Sequence, residues 1–145
     1  MRTWKTPVWL LSAVAVFSLL ALSADGIAQT KLKGFGKTIV IDILDGYVSP
    51  SDVAIQRGTT VIWNNATQRD VAVNFGMGDQ VKRACVAPSG FVLSGNVYAA
   101  PGLRPGATAS LCFVVAGSYE FTAAYQGAAG GEGREVPRGT ITVKE

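Results

Sequence analysis

From Thr38 onwards the chain is written in short runs of β-branched and aromatic residues cut apart by turn chemistry. Thr38-Ile39-Val40-Ile41-Asp42-Ile43-Leu44 is the first run, and Asp45-Gly46 ends it. Tyr47 to Asp52, with Pro50 inside, reads as a turn or kink before Val53-Ala54-Ile55-Gln56 alternates. Arg57-Gly58 then turns the chain into Thr59-Thr60-Val61-Ile62-Trp63, and Asn64 to Thr67 is turn-like. Val71 to Phe75 alternates again, Gly76 to Pro105 is irregular, and Ala107 to Val115 and Tyr119 to Tyr125 read as strands around Gly117-Ser118. A Gly-rich stretch from Gln126 to Arg138 precedes a closing strand at Thr140 to Val143. No stretch here sustains a helical period for ten residues. About seven strands at this spacing predict an all-β fold, an antiparallel sandwich with Greek-key connections.

The first residues have a different character. Arg2 and Lys5 precede a 16-residue apolar run, Pro7 to Leu22, broken only by Ser12 and Ser18. Gly26-Ile27-Ala28 places small residues where a signal peptidase inspects them, which predicts a secretory signal at 1–28 and a mature start at Gln29. An uncleaved anchor is the rival, because Trp4 to Leu22 approaches the roughly 20 residues that span a bilayer. Residues 29–37 form a basic arm carrying Lys31, Lys33 and Lys37, and 38–145 form the domain. The segment from Gln29 is about 117 residues, enough to bury roughly 65% of its unfolded surface in one core.

Beyond the signal there are eleven Lys and Arg against nine Asp and Glu, with no basic run or stripe among aromatics, so nucleic acid is not an expected partner. Two cysteines, Cys85 and Cys112, form an even count in a chain read as exported, which predicts a disulfide worth roughly 3.5 kcal/mol. Asn65-Ala66-Thr67 matches a glycosylation sequon, a pattern relevant only to a eukaryotic secretory route.

The order and punctuation of the strands carry a resemblance. Tyr47-x-Ser49-Pro50-x-x-Val53-x-Ile55-x-x-Gly58-x-Thr60-Val61-x-Trp63-x-Asn65 resembles the first half of plastocyanin-like and amicyanin-like cupredoxins. Leu103-x-Pro105-Gly106, then Phe113 and Gly117-Ser118-Tyr119-x-Phe121, resembles the second half, and Gly139 to Val143 the closing strand. The resemblance implies a cupredoxin-like Greek-key sandwich and one copper held by two His, one Cys and an axial Met. It places those ligands at Asp70 or Val71, near Ala123, near Gln126 and near Pro137. None is a His, Cys or Met, and the chain contains no histidine. That removes the donors for a blue-copper centre, a His-based zinc site and a Ser-His-Asp triad.

What remains is a scaffold without its cofactor, and the expectation is no metal, no catalytic residue and no enzyme activity. Met77, flanked by glycines, is at most a weak thioether donor, and Trp63 is expected in the core. Asp70 beside Arg69 borders a vacated ligand position, the bland alternative being a surface ion pair. Tyr125 and Gln126 before the Gly-rich stretch, with Arg134 and Arg138 beyond it, complete a candidate contact surface, the alternative being an idle connector. The expected role is a binding or structural module, periplasmic or secreted, with a protein partner and no membrane contact unless the N-terminus is uncleaved. Two alternatives stand beside it: a copper-handling or electron-transfer protein with an unconventional site, and an accessory subunit docking on a membrane complex. Intact-mass measurement of the protein from its own cells is expected to start at Gln29, whereas a Met1 start in the membrane fraction supports the anchor.

Overall fold

A computed structural model describes residues 36–126 and 136–145; the signal segment, most of the basic arm and Arg134 lie outside them. The elements are β1 Thr38–Leu44, β2 Tyr47–Ser49, β3 Asp52–Gln56, β4 Thr59–Asn65, β5 Val71–Phe75, α1 Gly78–Ala84, β6 Cys85–Ser89, β7 Val92–Ser94, β8 Val97–Leu103, β9 Thr108–Phe113, β10 Gly117–Tyr125 and β11 Arg138–Lys144. One sheet has the order β2-β1-β4-β9-β6 and the other β3-β11-β10-β5-β8-β7.

The expected sandwich is present, with more strands than the seven expected. Two of its ladders are parallel, β1 with β4 and β3 with β11, where an antiparallel sandwich was expected. The segment read as irregular, Gly76 to Pro105, holds α1 and strands β6, β7 and β8. Its helix has seven residues and buries Val81 and Ala84, too short a pattern for a helical period to register. Tyr47 to Ser49, read as part of a turn, pairs antiparallel with β1 and buries Val48.

The core is filled by alternation. Along β4 the inward positions are Thr59, Val61, Trp63 and Asn65, so period two carries the burial through to a polar residue at the strand's end. Trp63 meets Phe75, Phe91 and Phe121 edge-on at 5.7, 5.3 and 5.6 Å between ring centroids. Each such pair adds about 0.5–1.5 kcal/mol beyond area burial. The cost is one unpaired buried donor, Trp63 Nε1, of about 1–3 kcal/mol.

Asn65 is wholly buried and ties three segments together. Its Nδ2 donates to the carbonyls of Arg69 and Leu103, both at 2.7 Å, and its Oδ1 accepts from the Thr67 backbone N–H and hydroxyl. Asn65 therefore satisfies turn backbone groups, as its type predicts, but from within a strand rather than from a turn. Asn64 instead donates to the Asp42 carboxylate across the sheet at 2.8 Å. The same burial closes the sequon, since Asn65 Nδ2 is committed inside the fold. Replacing Asn65 by Ala strands buried carbonyls and is expected to cost about 2–4 kcal/mol, read as a lower urea midpoint at unchanged slope.

Candidate functional site

The four positions that the resemblance assigns to copper come together at one end of the sandwich. Gln126 N donates to the Asp70 carbonyl at 2.8 Å, and Ala123 N to the Pro137 carbonyl at 2.8 Å. In the ladder between β5 and β10, Tyr125 stands opposite Val71 and Ala123 opposite Val73. Val71 and Ala123 are fully buried and Pro137 is buried with them. An aliphatic pair, an imide ring and an amide side chain offer no thiolate, imidazole or thioether. The residues do not fit a blue-copper centre. Among the described residues no group of three or more His, Cys, Asp or Glu is placed to hold a metal ion.

Side-chain bonds hold this end together. The Tyr125 hydroxyl donates to the Leu44 carbonyl at 2.6 Å and accepts from Gly46 N at 2.7 Å, fastening β10 to the turn after β1. Arg69 lies over the Tyr125 ring, 4.3 Å from its centroid, and its guanidinium reaches Asp45 at 2.6 Å. The ion pair expected within Arg69-Asp70 is therefore made with Asp45, across from another loop. Gly102, at φ 67°, brings β8 backbone up to Gln126, where a Cβ would stand 3.7 Å from its Oε1. Asp70, Tyr125 and Gln126 thus share one surface, which Asp45 and Arg69 extend. In the sequence Asp45 only opens the Asp45-Gly46 turn, and nothing local announces a partner 24 residues away.

Arg138 does not join that group but borders it through the hollow it shares with Gly46. It opens β11 opposite Thr122 on the outer side of the six-stranded sheet. It lines a hollow of about 890 Å³ with Gly46, Tyr47, Ser51 and Val136, and a second of about 550 Å³ on the sheet face.

The expected disulfide is corrected by the register. Both cysteines are free thiols. Cys85 pairs with Phe113 and Cys112 with Val86, one step out of phase, so their side chains leave the sheet on opposite faces. Cys85 turns to the core and Cys112 shares the outer face with Thr60, a geometry that cannot bring two sulfurs to bonding distance. An even count carries no register, which is why it misled.

No family model and no curated protein matches the chain. Among solved structures the architecture is that of the cupredoxins. A Cu(I) form of a single-substitution amicyanin mutant matches with TM-score 0.52 and 22% identity, over 74% of this chain and 82% of that one. An oxidised amicyanin mutant matches at 0.52 and 22%, over 86% and 88%. A further Cu(I) mutant form matches at 0.53 and 21%, over 77% and 87%. At this identity the likeness establishes the fold, and this chain has the cupredoxin-like β-sandwich.

Burial, and then the neighbouring Cys112, push the Cys85 thiol up to about 12 from an ordinary 9.0. The unfolded chain releases that proton near pH 9 while the folded chain holds it to about 12, so the folded state binds more protons in between. Stability from this group is whole below pH 9 and falls as pH rises towards 12. Urea midpoints of Cys85→Ala are expected to fall less than wild type over that interval, and parallel curves would contradict the assignment. Denaturation without reductant is expected to expose two reactive thiols.

Proposed function

We propose that this chain is an exported, non-enzymatic binding module that uses a cupredoxin-like sandwich without copper. The observation that carries the reading is the side-chain set at the copper end: Val71, Ala123, Gln126 and Pro137, three of them packed into the core. A copper protein needs a soft thiolate and imidazoles there, and the chain has no imidazole to supply.

The loop end is then free to be a contact surface. Asp70, Tyr125 and Gln126 meet there on a base braced by Arg69 and Asp45, which holds polar groups in fixed positions for a protein partner. The apolar leader supports export, and a periplasmic or extracellular location follows from it. No helix among the described residues is long and apolar enough to cross a membrane.

Copper titration separates this reading from its electron-transfer rival. Cu(II) added to the purified protein is expected to give no intense thiolate-to-copper absorption and no stoichiometric binding heat. A tightly held ion that cycles reversibly between Cu(I) and Cu(II) would overturn the reading. In capture from the organism's own extract, Asp70→Lys with Gln126→Glu is expected to lose a partner that wild type retains.

A further inference from the structure

The six-stranded sheet turns one face to the core and the other away from it. Ladder register lays Val92, Ala99, Asn74, Thr122 and Arg138 in one row across the outer face. Glu120, Thr140 and Asp52 form part of the next. The middle of this face is made of short side chains, with a hollow of about 550 Å³ beside Gly76. Gly76 has no positive φ, and a Cβ there would meet nothing within 4 Å. Its own packing therefore does not demand a glycine, yet the glycine keeps the hollow open.

Two further features mark the face. Met77, Val92 and Val97, at 65%, 54% and 37% exposure, lie on it or at its rim and add apolar surface to it. Its charges include an acid and a base on neighbouring strands, Glu120 and Arg138, with Asp52 beyond them on the edge strand. Glu120 pairs with Thr140 and Arg138 with Thr122, so the two charges sit one strand apart and two residues out of step, about 8 Å between backbones. Neither has an ion-pair partner among the described residues.

An acid and a base displaced on a surface are complementary to the same surface turned over. Under a two-fold axis in the plane of the face, Glu120 meets the partner's Arg138 while Arg138 meets the partner's Glu120. We propose that this face docks a second copy of the chain as an isologous dimer held by that reciprocal pair of bridges. A five- to six-strand face spans roughly 500 Å², below the roughly 800 Å² per partner of a standard interface, so the dimer is weak and depends on its charges. This inference is independent of the role given to the loop end.

Sedimentation velocity over a graded concentration series, at low and at high salt, tests it on the protein in the form its cells accumulate. Wild type is expected to dimerise reversibly, more weakly as salt rises. Glu120→Arg and Arg138→Glu alter exposed side chains and are each expected to weaken dimerisation at least tenfold, with unfolding midpoints unchanged. Mixing the two variants in equal amounts is expected to restore the dimer, because the two bases of one variant then face the two acids of the other. A wild type that stays monomeric throughout, single variants that dimerise like wild type, or a mixture that stays monomeric would each overturn it. So would a monomer that takes some other protein onto this face and loses it in both Glu120→Arg and Arg138→Glu.

Discussion

The packing of aromatic rings between the two sheets is the constraint on which the rest of this molecule depends. Trp63 comes from β4, Phe75 from β5, Phe91 from the turn before β7 and Phe121 from β10, and their rings meet within 6.0 Å. Phe113 and Tyr119 extend the cluster at 5.2 Å, and Phe91 and Tyr98 at 5.4 Å. Edge-on contacts fix both the spacing and the rotation of the sheets, because a ring slipped by one register step would face solvent. The segment between β5 and β9 is therefore no appendage. It supplies Phe91, Tyr98, Val81 and Ala84 to the same core.

The loop end follows from how that core stops. The end loops need ties between separate strands to keep one shape. Here the corresponding ties are hydrogen bonds. Asn65 draws Arg69 and Leu103 together from inside, and Tyr125 clamps the turn after β1 from outside. Hydrogen bonds of this kind contribute about 1 kcal/mol each, far less than a coordinated metal, but neutral partners need no redox state to hold. These bonds give the end a polar surface of fixed shape.

Much of this was legible in the sequence. The runs Thr38–Leu44, Val53–Gln56, Val71–Phe75, Tyr119–Tyr125 and Thr140–Val143 all fall within strands, because a β-branched alternation closed by glycine has one good solution. Asp70 was singled out by its place relative to a ligand pattern and Tyr125 and Gln126 by theirs before the Gly-rich stretch; Gln126 N bonds the Asp70 carbonyl and Tyr125 stands opposite Val71. What failed to show was long-range. Strands β6 and β8 hold Pro88 and Pro101, and Gly90 and Gly95 flank β7; these residues read locally as breaks, and only pairing with neighbours makes strands of the segments. The cysteines failed for the same reason, since register is a property of two strands and not of one.

Arg138 is the point where the two candidate surfaces touch. It lines the hollow beside Tyr47 and also the hollow beside Glu120, so its replacement perturbs both. Glu120 belongs to the sheet face, and Tyr125 to the loop end, where it is tied to the β1 turn and lies under Arg69. A loss of association produced by Arg138 substitutions therefore has no unique meaning by itself. A loss shared with Glu120 locates the contact on the sheet face, because two residues on adjacent strands, opposite in charge, then answer to one partner. A loss shared with Tyr125 locates it at the loop end, where the clamp on Leu44 and Gly46 fixes the shape that a partner reads.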